Sequence, residues 1–142
     1  MATVSRSNLF LAGGILLTLI VCTLPIISVS VVPEIRLKVV DRGGNPVAGA
    51  TVEKMWIHNS FESDYHYERV KTDPSGEVLF PSSQITISIS RFFIGKLADK
   101  LVAINPHAAI GPFAAFRVEG HDSYAPYYRE NEPPPQLLVV DD

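Results

Sequence analysis

The chain has one cysteine, Cys22, so it can close no internal disulfide and offer no cysteine pair to a metal. Cations are outnumbered, with 12 Lys and Arg against 15 Asp and Glu, and they form no run or stripe. That argues against a nucleic-acid binder, which shows clustered basic residues. A Gly-x-Ser-x-Gly elbow is missing, and the lone thiol sits in an apolar block, so acyl-transfer nucleophiles lack support. No catalytic, cofactor-binding or metal-binding residue is singled out, and the protein is expected not to be an enzyme. Charge itself is missing from one long stretch: between Arg6 and Glu34 there is none.

That uncharged stretch supports more than one reading. As a signal peptide it has Arg6 in the n-region, an apolar core over Leu9–Cys22, a helix-breaking Pro25 and a small-x-small Ser28–Ser30. As a retained anchor, Leu9–Val32 is about 24 uncharged residues, enough at ~1.5 Å per residue to cross a bilayer core. Lipidation at Cys22 is a third option, although Val21 stands where a small residue is usual. All three place the chain beyond Val32 on the far side of the membrane, because Arg6 favours a cytoplasmic N-terminus. The expected organisation is a signal peptide or transmembrane anchor over 1–33 and one folded domain over 34–142. The expected location is extracytoplasmic, membrane-anchored if the first segment is kept.

Beyond it, apolar residues alternate. Ile35, Leu37 and Val39 alternate with Arg36 and Lys38, the period-two pattern of a strand with one buried face. Gly43, Gly44, Asn45 and Pro46 then supply turn chemistry, and alternation returns with Val52 and Trp56 facing the core. In the polar stretch after it, Tyr65, Tyr67 and Arg69 share a face if the chain is extended. Asp73–Gly76 is another turn, and Glu77–Pro81 and Gln84–Ser90 are β-rich runs. Within Arg91–Ile104, Phe92, Phe93, Leu97 and Leu101 recur at three to four residues, which predicts one short helix, read as a lid on an open sheet end. Phe113–Gly120 and Gln136–Val140 complete about seven strands, the last entered through the stiff Pro133–Pro135.

Three segments resemble the carboxypeptidase regulatory-like domain. They are the Asp41–Val52 hairpin "DRGGNPVAGATV", the Thr72–Phe80 turn "TDPSGEVLF" and "FRVEGHDSYAPY" at Phe116–Tyr127. In the last, His121, Asp122 and Ser123 stand between Gly120 and Tyr124 and lengthen a corner that the family closes with Gly-Tyr-x-Pro. The resemblance implies an all-β, seven-stranded Greek-key β-sandwich of transthyretin-like type, here with one short helical insertion and an N-terminal hydrophobic helix. In function it implies a non-catalytic module that supports, positions or tethers something else. Hydroxyisourate hydrolases share that architecture and resemble one another in an early His and a C-terminal Tyr-Arg-Gly-Ser. This chain ends "LLVVDD" and has no His in its first alternating strand, so that activity is not implied.

Two patches remain as binding candidates. His58, Glu62, Asp64, His66 and Glu68 crowd one polar stretch, which could offer nitrogen and oxygen ligands to a cation if it were more than a solvated face. Tyr124, Tyr127, Tyr128 and Arg129 could form a platform for a sugar ring or peptide, if they do not simply cover the sandwich edge. The expected function is an exported, membrane-tethered binding or interaction module of the cell envelope. The alternative is a small-ligand, sugar or metal carrier using the His58–Glu68 or Tyr124–Arg129 loops. Expected partners are the membrane, through the N-terminal segment, and an envelope protein or glycan.

Overall fold

The computed structural model describes residues 6–102, 109–121 and 126–140. Its elements run α1 (Arg6–Thr23), β1 (Pro25–Val32), β2 (Ile35–Asp41), β3 (Thr51–His58), β4 (His66–Lys71), β5 (Glu77–Phe80) and β6 (Ser83–Ser88). They continue through α2 (Ile89–Val102), β7 (Pro112–Val118), β8 (Tyr127–Arg129) and β9 (Leu137–Val140). The chain is mostly β, and its several sheets are consistent with a β-sandwich, but there are nine strands where seven were expected, beside an N-terminal helix and one helical insertion. The additions are β1 and β8.

Strand β1 overturns the notion of one long apolar helix. Pro25 has no N–H to donate and disfavours helical geometry at Leu24, so α1 stops at Thr23. The run Ile26–Val32, rich in β-branched Ile and Val, then extends and pairs antiparallel with β6, Val29 opposite Ile85 and Ile27 opposite Ile87. Among the described residues no helix is long and apolar enough to cross a membrane. The core therefore draws on residues ahead of position 34: Val31 and Val32 are buried in it.

Three sheets share that core, in the orders β1-β6, β5-β2-β9 and β4-β3-β7-β8. Ile35, Leu37 and Val39 of β2 are buried while Arg36 and Lys38 are exposed, as the alternation predicts. Val52 and Trp56 of β3 also face inwards, and Phe80 of β5 meets Phe116 of β7 at 5.6 Å between ring centroids. Burying each such side chain is worth roughly 1.5–3 kcal/mol. Strand β9 runs parallel to β2, Lys38 opposite Leu137, and every other strand pair is antiparallel.

The Asp41–Val52 stretch is an arch between layers and not a hairpin, because β2 and β3 belong to different sheets. Asp41 accepts from the Asn45 amide at 2.8 Å, and Pro46 bridges back to Val40. At Gly49, whose φ is 72°, the chain crosses to the other sheet. Thr72 holds the crossing: its buried hydroxyl donates to the Val47 carbonyl at 2.7 Å and accepts from the Ala50 amide at 2.9 Å. The second turn is locked against the first. Gly76 has φ 74°, and a Cβ there would lie 2.6 Å from the Val39 carbonyl oxygen, so the two turns of the family-like pattern touch.

Cutting after Ser30 would remove most of β1. A chain starting at Val31 is expected to be less stable than one starting at Pro25 by about 3 kcal/mol, from two half-buried β-branched side chains at ~1.5 kcal/mol each. Urea unfolding of the two chains measures this; equal midpoints would mean that β1 adds nothing to the fold.

Candidate functional site

The outer face of β4-β3-β7-β8 is built in rows by strand register. Met55 lies opposite Tyr67 on one side and Ala115 on the other, and Ala115 lies opposite Tyr127. One row therefore reads Tyr67, Met55, Ala115, Tyr127, with a tyrosine on each edge strand and smaller residues between. At ~4.8 Å per strand spacing the tyrosines stand about 14 Å apart. Both rings are exposed. Tyr127 stacks on Phe113 at 6.5 Å and carries the Arg129 guanidinium at 5.0 Å over its ring.

The adjacent row closes one end. Glu53 lies between Arg69 and Arg117 in register. Arg69 Nε donates to one Glu53 carboxylate oxygen at 2.8 Å and Arg117 Nε donates to the other at 2.7 Å. The arginines cover the carboxylate so fully that Glu53 is 4% exposed. Burial by itself would raise the Glu53 pKa, but the two arginine hydrogen bonds outweigh it and hold the carboxyl below its ordinary value. Both oxygens are occupied, so this acid is a structural anchor that fixes two guanidinium groups. A trough of about 280 Å³ is lined by Glu53, Met55, Tyr67, Ala115, Phe116 and Arg117. Ligand pockets typically start near 300 Å³, so it suits one ring or one side chain.

The structure disperses the His58–Glu68 patch. His58 faces inwards against Phe61, at 4.2 Å between ring centroids, while His66 stacks on Trp56 and contacts Glu62 Oε1 at 2.7 Å. Asp64 accepts from Ser63 instead. Glu68 shares the inner face with His66 but is turned to Lys54, its cross-strand partner. Lys54 is wholly buried: its ammonium reaches Glu68 Oε2 at 2.9 Å, donates to Ser83 Oγ at 2.8 Å and lies 5.2 Å above the Phe80 ring. Trp56 Nε1 and Ser83 Oγ donate to Glu68 Oε1 at 3.0 and 3.1 Å. With its carboxylate satisfied in this way, Glu68 is not left as a metal ligand. Among the described residues no three His, Cys, Asp or Glu side chains gather as a metal site.

Of the second patch, Tyr124 lies outside the described residues, and Tyr128 is half-buried against the core. Tyr127 and Arg129 come to the outer face. Each candidate stretch thus contributes residues to one surface: Tyr67 from the first, Tyr127 and Arg129 from the second. The sequence places Tyr65, Tyr67 and Arg69 on one face if the chain is extended; Tyr67 and Arg69 share it in β4, while Tyr65 lies ahead of the strand. Met55, Ala115, Glu53 and Arg117 were not singled out; their signal was the solvent phase of β3 and β7, readable only once those strands are known to be neighbours. No known protein family matches the chain, and no curated protein matches it either.

Two outcomes test this arrangement. Removing one partner of a buried ion pair costs about 3–5 kcal/mol, so Glu68→Ala should unfold at markedly lower urea while Lys54→Met with Glu68→Gln should recover most of the loss. The second concerns pH. Burial pushes His58 below the ordinary imidazole value, with Asp99 opposing, Lys96 reinforcing and Glu130 opposing more weakly, and its Nδ1 has no partner among the described residues. The fold therefore favours neutral His58, and stability should fall as pH drops below about 6.5, where the unfolded chain takes up the proton. His58→Gln should flatten that slope between pH 7 and 5; an unchanged pH profile by thermal melts would assign it to other groups.

Proposed function

We propose that this chain is an exported, non-catalytic β-sandwich module of the cell envelope that binds through the outer face of β4-β3-β7-β8. In this proposal α1 engages the membrane where it is retained, and the domain beyond it is extracytoplasmic. The observation that carries the proposal is the Tyr67–Met55–Ala115–Tyr127 row. Sheet faces left to solvent are normally polar. Here two exposed phenol rings flank a low apolar floor, and arginines held by Glu53 border it. Tyrosine gives contact area with a polar tip at small entropic cost, which suits ring stacking and partner recognition.

The finer architecture belongs to the same proposal. In this reading β2 to β7 with β9 stand for the seven strands of a Greek-key sandwich of the carboxypeptidase regulatory-like, transthyretin-like kind, and β1, which pairs with β6, and β8 are additions to it. Support comes from the turns that carry the resemblance. Asp73 accepts from the amides of Ser75 and Glu77 at 2.8 and 2.9 Å, and Gly76 packs against the Asp41–Pro46 arch. Such domains tether or position other components, in keeping with an envelope protein or glycan as the partner.

A surface of this kind is expected to respond to pyranose rings. In heteronuclear NMR, soluble glucan, chitin and muropeptide fragments should shift amides of Met55, Tyr67, Ala115 and Tyr127. Tyr67→Ala and Tyr127→Ala should each weaken binding by about three- to tenfold, the worth of one aromatic contact. Shifts confined to other faces, or none with any fragment, would leave the glycan form without support and point to a protein partner.

A further inference from the structure

We propose that α2 is an interfacial helix whose outward face rests on an anionic lipid surface beside α1. The sandwich itself makes only limited use of this helix. Phe92 and the buried Gly95 turn inwards, and a Cβ at Gly95 would collide with the Phe61 ring, so that side is seated closely. The opposite side carries Phe93, Ile94, Leu97 and Leu101, which are 67%, 68%, 60% and 62% exposed. The apolar stripe that predicts the helix therefore points away from the core.

Charge decides what covers this stripe. At 100° per residue the four apolar side chains fall within an arc of about 100°, flanked by Lys96 and Lys100 on one side and Arg91 on the other. The helix's one acid, Asp99, lies on the inner side, with Oδ1 buried. Cations bordering an apolar arc match a bilayer interface, where chain methylenes stay in contact with lipid while the charges reach anionic headgroups. The neighbouring helix extends the same surface. α1 packs against α2, Ser90 Oγ donates to the Cys22 carbonyl at 2.9 Å, and Phe10, Ile15, Leu16, Leu17 and Leu19 of α1 are exposed. Apolar surface on two adjoining helices, edged by cations, exceeds the scattered exposure of a soluble chain.

This inference rests on the proposed membrane contact of α1 but is tested apart from it. In the full chain with Cys22→Ser, single cysteines at Ile15→Cys, Leu97→Cys or Leu79→Cys carry an environment-sensitive label. With phosphatidylcholine–phosphatidylglycerol vesicles, the label at 97 should shift to the blue and be quenched by lipids spin-labelled near the headgroup. The label at 79, the exposed position of β5, should do neither. Lys96→Gln with Lys100→Gln should weaken contact at 97 by about thirtyfold, from two cations at an anionic surface, and leave 15 unchanged. Quenching at 15 without 97 would overturn the role of α2 alone, whereas silence at both would overturn the membrane contact of α1 as well. A concentration-dependent blue shift at 97 without lipid would mean that a second copy covers the face, and would also overturn the proposal.

Discussion

The fold depends on three sheets presenting apolar rows to one shared core, where Phe80 of β5-β2-β9 meets Phe116 of β4-β3-β7-β8. Every strand assignment depends on which side chains must reach that layer. Because the period is two, burying Ile35, Leu37 and Val39 commits Arg36 and Lys38 to solvent. Burying Val52, Lys54 and Trp56 likewise sends Met55 outwards and leaves Glu53 to be covered only by its arginines. The outer face is the complement of the core, and a one-residue slip in register would exchange the two.

Lys54 breaks the apolar rule with a fully buried charge. The fold tolerates that charge only because Glu68, Ser83 and the Pro81 carbonyl at 3.3 Å surround it. An apolar residue could fill the volume with less desolvation cost. What the ion pair adds is direction. It couples β3 to β4 in one register and to the start of β6, so the strand that supplies Tyr67 and Arg69 to the outer face is held by a bond made inside. The Lys54–Glu68 pair and the Glu53–Arg69 pair are consecutive rungs of the same β3–β4 ladder, one on each face.

Both helices sit at the opposite extreme from the core. α1 shows apolar side chains to solvent from Phe10 to Val21, and α2 shows them on its outer arc, while the strands between and beside them obey the inward rule. Joined through Ser90 and Cys22, they place apolar surface at one end of the chain's β structure. That exposed apolar surface is what the proposed membrane contact would cover.

The sequence by itself determined the alternating strands β2, β3 and β7, the turns at Asp41–Pro46 and Asp73–Gly76, the existence of α2, and Tyr67 and Arg69 sharing a face. These are local properties of period, β-branching and turn residues. Only tertiary structure decided the rest. Pro25–Val32 became a strand because β6 was available to pair with it; as an apolar run it read equally as helix. Asp41–Val52 became an arch because its flanking strands found partners in different sheets. Glu68 was lost as a ligand when Lys54 was buried opposite it. Tyr67 and Tyr127, sixty positions apart, met on one surface through the two strands between them. Long-range pairing is a choice among partners, and that choice depends on the summed burial of the whole chain, which no short window of residues contains.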